Sequence, residues 1–126
     1  MRHAEANHQR ALFAWARLTE GAHPELALLY SIPMGGRRNP REAALLKAEG
    51  ARAGIPDLCL PVPRGRWHAL YIELKRPAAH DAPRGRATPA QTWWLERLAE
   101  AGNRALVAYG WDQARDEILA YLTLPA

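Results

Sequence analysis

Apolar and polar positions alternate along the chain with two different periods, and the places where the period changes mark out helices and strands. Leu12, Trp15, Ala16 and Thr19 share one stripe at helical spacing, which predicts an amphipathic helix from about Arg2 to Thr19. Glu5 lies near the middle of that stripe extended toward the N-terminus, whereas Glu20 falls well to its side. The next run, Leu26 to Pro33 (LALLYSIP), is short, apolar and closed by the turn signal MGGRRNP, the pattern of a buried strand. Asn39-Pro40-Arg41-Glu42 then offers an N-cap side chain, a proline at the first helical position and a glutamate three residues after the cap. A helix is predicted from Pro40 to about Ala53, ending near Gly54.

Asp57 to Val62 (DLCLPV) reads as a short strand entered through Pro56. The turn Pro63-Arg64-Gly65-Arg66 returns the chain as an antiparallel neighbour over Trp67 to Lys75. After a loop rich in proline, glycine and arginine, Thr88-Pro89-Ala90-Gln91 repeats the capping pattern and opens a helix with Trp94, Leu95 and Leu98 inward, closed near Gly102. Arg104 to Tyr109 (RALVAY) is a short buried strand, and Asp112 is the expected cap of a last helix with Ala114, Ile118, Tyr121 and Leu122 inward. The element order is α-β-α-β-β-α-β-α. The simplest architecture is an α/β fold, a four-stranded mixed sheet flanked by helices, in which the late strand follows a helical crossover and pairs in parallel.

Composition narrows the classes. At 126 residues, with no repeat or low-complexity tract, the chain reads as one domain spanning 1–126. Lys+Arg number 17 against 13 Asp+Glu, a formal net charge of +4 carried mostly by arginine, whose planar donor fork suits phosphate oxygens. The single cysteine, Cys59, permits neither an intrachain disulfide nor a cysteine-built zinc site. MRHAEANHQR lacks the apolar core of a signal peptide, and no run approaches the roughly 20 residues that span a bilayer. A cytoplasmic protein without a membrane partner is the expectation.

Within LYIELKRP, Leu70 to Pro77, strand alternation places Tyr71, Glu73 and Lys75 on one face and Ile72 and Leu74 on the other. A carboxylate and an ammonium are thereby held about 7 Å apart at the backbone. Taken alone, such a pair is most simply an ion pair on a solvated edge strand. The hairpin changes this, because Asp57 begins one strand and Glu73 lies toward the end of its antiparallel partner, which sets both acids at the same end of the sheet. Two carboxylates brought together repel unless a proton or a cation lies between them. With oxygen ligands only, the cation expected is Mg²⁺, with Mn²⁺ as a substitute. Lys75, one pleat further on, then reaches an attacking water or a scissile phosphate without being a ligand.

The spread Pro56-Asp57 … Glu73-Leu74-Lys75 resembles the PD-(D/E)xK nuclease core, with its restriction-endonuclease-like fold. More narrowly, the chain looks like a stand-alone VRR-NUC (virus-type replication-repair nuclease) domain of the phage and bacterial type. The supporting stretches are Glu5 with His8-Gln9, Gly36 to Asn39, Gly54-Ile55-Pro56-Asp57-Leu58, Ile72-Glu73-Leu74-Lys75, and Gln91 with Trp94-Leu95, so the resemblance covers almost the whole chain. It implies that Asp57 and Glu73 ligate the metal, with the backbone carbonyl of Leu74 as a further ligand and Glu5 adding a carboxylate from the first helix. It implies too that Lys75 orients or deprotonates the attacking water and that Gln91 helps to position the site. Phosphodiester hydrolysis needs a nucleophile, neutralisation of phosphate charge and support for the departing oxygen, and such a set supplies each. Because an ordinary lysine, with a pKa of about 10.4, is a poor base at neutral pH, electrostatic positioning is the role assigned.

Structural roles compete at several positions. Glu5 suits the first turn of a helix by its charge alone, and Gln91 is the third residue of a capping box after Thr88. His3, His8 and His80 read as exposed polar residues, Cys59 as a small buried side chain, and Trp67, Trp94 and Trp111 as core. Trp93, near Arg97, reads as a partly exposed contact for nucleic acid or another subunit. Arg37, Arg38 and Arg41 gather at a loop entering a helix N-terminus, where backbone donors favour anions, and Arg76, Arg84 and Arg86 flank the loop that leaves the active strand. Both groups suit tracking of a DNA backbone, with steep salt dependence and little reading of bases. The expectation is a Mg²⁺-dependent endonuclease that cuts DNA at four-way junctions, with no nucleotide cofactor. It is expected to act as a homodimer, which doubles the basic surface of so short a chain; the stand-alone proteins it resembles look like dimeric junction-cutting enzymes. The rival expectations are the same core acting on flaps, nicks or free ends, and a non-catalytic DNA-binding module that kept the fold.

Overall fold

The computed structural model describes residues 2–33 and 39–126. Arg37 and Arg38, and all of the Gly36 to Asn39 stretch except Asn39, lie outside the described residues. Helix α1 spans Arg2–Thr19, as its periodicity predicts, and buries Leu12 and Ala16. The run LALLYSIP departs from the strand expected of it. Pro24–Leu28 form a 3-10 turn, and only Tyr30–Ser31 make strand β1. Pro24 brings its preset φ to the start of the turn, and Leu26 and Leu29 reach the core together because they lie three apart. A short apolar run fits that spacing as readily as it fits a strand.

Helix α2, Pro40–Ala48, starts as expected, with Asn39 Oδ1 accepting the Glu42 N–H at 2.8 Å and Asn39 Nδ2 donating to Glu42 Oε1 at 3.0 Å. It stops well short of Gly54, because Gly50 takes a φ of 107° just past the helix end, a conformation at which only glycine is at ease. Strands β2, Leu58–Leu60, and β3, Leu70–Lys75, form the expected hairpin but are shorter than predicted. The connection is wider than its turn signal suggests: Arg64 and Trp67 close a small bridge of their own, and Trp67 does not join the ladder. Helix α3, Pro89–Glu100, opens with a full capping box at Thr88 and Gln91. Strand β4 covers Arg104–Tyr109 as read. Helix α4, Trp111–Leu122, is capped by Gly110 at a φ of 95°, not by Asp112, which falls inside the first turn where its charge complements the helix dipole.

The sheet has the order β1-β2-β3-β4, antiparallel between β1 and β2 and between β2 and β3, and parallel between β3 and β4 across the α3 crossover. This is the α/β mixed-sheet architecture expected. Leu12 and Ala16 of α1 and Ala114, Ile118 and Tyr121 of α4 join Leu58, Leu60, Leu70, Ile72, Leu74 and Ala108 in one core. That core claims the aliphatic half of β3, so a one-residue slip of register would drive Glu73 into it. The register is thereby fixed, and the opposite half of β3 is delivered to the other face of the sheet. Among the described residues no helix is long and apolar enough to cross a membrane.

Candidate active site

Strand β3 lies between β2 and β4, so Glu73 and Lys75 belong to an interior strand and not to a solvated edge. Glu73 is 2% exposed and Lys75 8%. Their shared face brings Lys75 Nζ to 3.4 Å from Glu73 Oε2. Continuing the β2–β3 register one residue beyond the Leu58–Ile72 pair sets Asp57 opposite Glu73. Asp57 Oδ2 accepts the Leu74 N–H at 2.8 Å, which pins this carboxylate to β3.

The loop before Asp57 is seated on the start of α3. A Cβ on Gly54 would fall 2.8 Å from the carbonyl carbon of Ala90, and Gly54 holds a φ of 91°, so two independent constraints demand glycine there. Trp94 Nε1 donates to the Ala53 carbonyl at 3.0 Å and clasps the same loop. Helix α3 in turn delivers Gln91, whose amide is divided between two tasks. Its Oε1 accepts the Thr88 N–H at 2.8 Å within the capping box, while Nε2 donates to Glu73 Oε2 at 3.0 Å. Capping and contact with the acid pair therefore coexist in one side chain.

The electrostatics follow from this packing. Burial first, and then repulsion from Asp57, push the Glu73 carboxyl up to about 8, against the pull of the Lys75 ammonium. Glu73 Oε1 is buried and has no hydrogen-bond partner among the described residues. An acceptor left in that condition beside a second carboxylate is a fit to a hard divalent cation, which takes oxygen donors. Glu5 stands half-buried in the first turn of α1 and is not drawn into one cluster with Asp57 and Glu73. Among the described residues no three His, Cys, Asp or Glu side chains are so gathered.

Residues 76–88 fold back over Lys75. A Cβ on Gly85 would lie 3.3 Å from Lys75 Cβ and 3.4 Å from its Cδ, and the Gly85 N–H donates to the Arg76 carbonyl at 3.0 Å. The Arg84 guanidinium lies 4.3 Å above the ring of Tyr109, the β4 residue in register with Lys75. Arg76 donates to the Pro83 carbonyl within the same loop. Arg86 and Arg41 are exposed, Arg41 in the first turn of α2. Trp94 is half-buried against the loop before Asp57, and Trp93 is exposed with Arg97 over its ring at 5.5 Å.

Two features escaped the sequence reading. His8 is half-buried, and its Nδ1 accepts the Trp111 N–H at 3.0 Å, tying α1 to the start of α4. The signal was indirect: a helix capped by glycine brings no side-chain acceptor of its own, so a first-turn N–H must find one elsewhere. The second feature is a row across the sheet, Tyr30, Cys59 and Tyr71, one pleat before Glu73. Hydrogen bonding to the Cys59 thiol, with burial behind it, pushes the Tyr30 hydroxyl up to about 12.

Comparison with known proteins agrees with this arrangement. Residues 2–112 match the profile of the VRR-NUC domain family. A solved structure described as a VRR-NUC domain protein superposes with a TM-score of 0.81 at 32% identity, over 97% of this chain and 90% of that one. No curated protein shows significant similarity.

Proposed function

The chain belongs to the VRR-NUC family, a family of nuclease-type DNA-processing domains, and from that premise we propose that it is a metal-dependent endonuclease that hydrolyses phosphodiester bonds in branched DNA as a homodimer. The observation that carries the reading is Glu73 Oε1, a buried carboxylate oxygen with no described partner, set beside Asp57 and Lys75. Asp57 and Glu73 would hold Mg²⁺ or Mn²⁺, with the Leu74 carbonyl as a further oxygen donor; Glu5, which does not gather with them, stays outside this set. The ion, when bound, supplies charge neutralisation at the phosphate and a more acidic water.

The chain's own groups account for the rest. Lys75 presents a fixed positive charge to the developing negative charge of the transition state, held in place by the Gly85 backbone packed along its stem. Gln91 fixes Glu73 Oε2 and leaves Oε1 free for its other use. Asp57, anchored by the Leu74 N–H, keeps its orientation without help from solvent. Arg84, Arg86 and Arg41, with Arg37 and Arg38, meet phosphates outside the scissile one. Water attacks in line with the departing oxygen.

The test is a cleavage assay with labelled four-way junction, flap, nicked and blunt duplex DNA, with and without Mg²⁺ or Mn²⁺. Metal-dependent cutting that Glu73→Gln and Lys75→Ala abolish, with DNA binding retained, is the expected result. Cleavage of the junction in preference to the flap and nick supports junction resolution. DNA binding without cleavage in any metal, indifferent to both substitutions, would make the chain a binding module.

A further inference from the structure

A concave surface lies at the edge of the sheet. A groove of about 620 Å³ runs between α1 and the edge strand β1, lined by Ala6, Gln9, Arg10, Phe13, Arg17 and Ser31. Its helix residues repeat three and four apart, a stripe beside the buried one that carries Leu12 and Ala16. The lining holds two arginines and no acid. Among the described residues Arg10 meets only Asn7 Oδ1, at 3.0 Å, and neither arginine has a carboxylate partner. Phe13 rests against the core with the rest of its surface in the groove.

The strand wall connects to the backbone of the candidate active site. On the strand side, Ser31 pairs with Leu58, and the next residue, Ile32, donates its N–H to the Asp57 carbonyl at 2.7 Å. We propose that this groove receives a single-stranded arm of branched DNA, which a flap carries and a fully paired four-way junction does not, with Arg10 and Arg17 on its phosphates and Phe13 against a base; the proposal rests on the nuclease reading. The volume is in the range of a site for one small ligand, enough for a short stretch of single strand and too little for a duplex. An aromatic ring stacks on a base that has left its own stack, which again selects the unpaired strand. The two arginines lie about 10 Å apart along the helix axis, so they serve different phosphates of that strand.

The test is fluorescence anisotropy of the intact chain in EDTA, so that nothing is cut, with a labelled flap duplex bearing a single-stranded arm and a matched blunt duplex. The double variant R10Q/R17Q is expected to bind the flap roughly tenfold more weakly and the blunt duplex less than about twofold more weakly. Its slope of log K against log salt on the flap falls by about 1.4, at about 0.7 for each single-strand phosphate that the variant no longer neutralises. Ser31→Glu, which adds an acid to the opposite wall without touching α1, gives the same selective loss, and R10K/R17K restores most of the binding. Unchanged flap binding, or equal loss on both DNAs, overturns the groove assignment. The two readings fail separately. A wild type that cuts branched DNA while R10Q/R17Q binds the flap normally removes the groove alone. A wild type that grips the flap through these arginines yet cuts nothing with Mg²⁺ or Mn²⁺ removes the nuclease reading and leaves the groove.

Discussion

Glu73 has two oxygens with different fates. Oε2 accepts from Gln91 and stands beside Lys75, whereas Oε1 is buried without a described partner, a condition that costs about 1–3 kcal/mol. Burial and the neighbouring Asp57 also raise the carboxyl to about 8. In the metal-free protein folded Glu73 therefore keeps a proton that the unfolded chain releases near the ordinary carboxylate value. The stability tied to that proton is present at low pH and is lost as pH rises through about 8. Thermal melts in EDTA between roughly pH 4.5 and 8 are expected to show a falling limb that Glu73→Gln flattens, because the amide keeps the shape without the charge. Added Mg²⁺ is expected to raise the Tm of the wild type and not that of Glu73→Gln. Lys75→Ala separates the two roles at this site: the Mg²⁺ response of Tm persists, while single-turnover cleavage falls by about 10²–10³.

At the scale of elements, two glycines make opposite predictions. Gly54 combines a φ of 91° with a Cβ position 2.8 Å from the Ala90 backbone, and the second conflict cannot relax without moving α3. Gly54→Ala is expected to lower stability by about 1–3 kcal/mol in urea melts, and to weaken cleavage with it, since the same loop carries Asp57. Gly85 has no such strain; a Cβ there presses on the Lys75 stem at 3.3 Å. Gly85→Ala is expected to leave the urea midpoint almost unchanged and to lower kcat by about tenfold or more, with KM for DNA little altered. The same contrast separates what the sequence discloses from what it withholds. Asn39 and Thr88 announce their helices because a cap is a local arrangement between neighbours in sequence, and Glu73 and Lys75 share a face because alternation is local too. Gln91 reaching Glu73, His8 serving α4 and Gly85 lying on Lys75 each join segments far apart in the chain. No periodicity encodes such meetings. The strand expected of LALLYSIP fails for another reason: in a run with so few polar residues, the three-residue spacing that buries Leu26 and Leu29 and leaves Leu28 exposed has no polar pattern to set it apart from a strand.

For the whole molecule, the distribution of charge matters more than its sum of +4. Arg64, Arg97, Arg104 and Arg115 are each matched by an acid, whereas Arg76, Arg84 and Arg86 after β3, Arg41 on α2, and Arg10 and Arg17 along α1 have no carboxylate partner among the described residues. Arg52 and Arg66 are unmatched as well, Arg66 in the β2–β3 connection, but the loop leaving β3 brings three of these charges directly after Lys75, so the positive field there lies where a phosphate chain would run. One such surface on a chain this small meets only a short length of DNA, and a two-fold dimer meets two arms of a junction that has nearly the same symmetry. Each duplex phosphate neutralised contributes about −0.9 to the slope of log K against log salt. A junction held by both protomers is therefore expected to give a slope about twice that of a nicked duplex held by one. Light scattering at the working concentration should report twice the chain mass over the same salt range. A monomer with equal slopes on the two DNAs would remove the junction assignment and leave single-site cutting at nicks, flaps or ends, because only a paired surface can count phosphates on two arms at once.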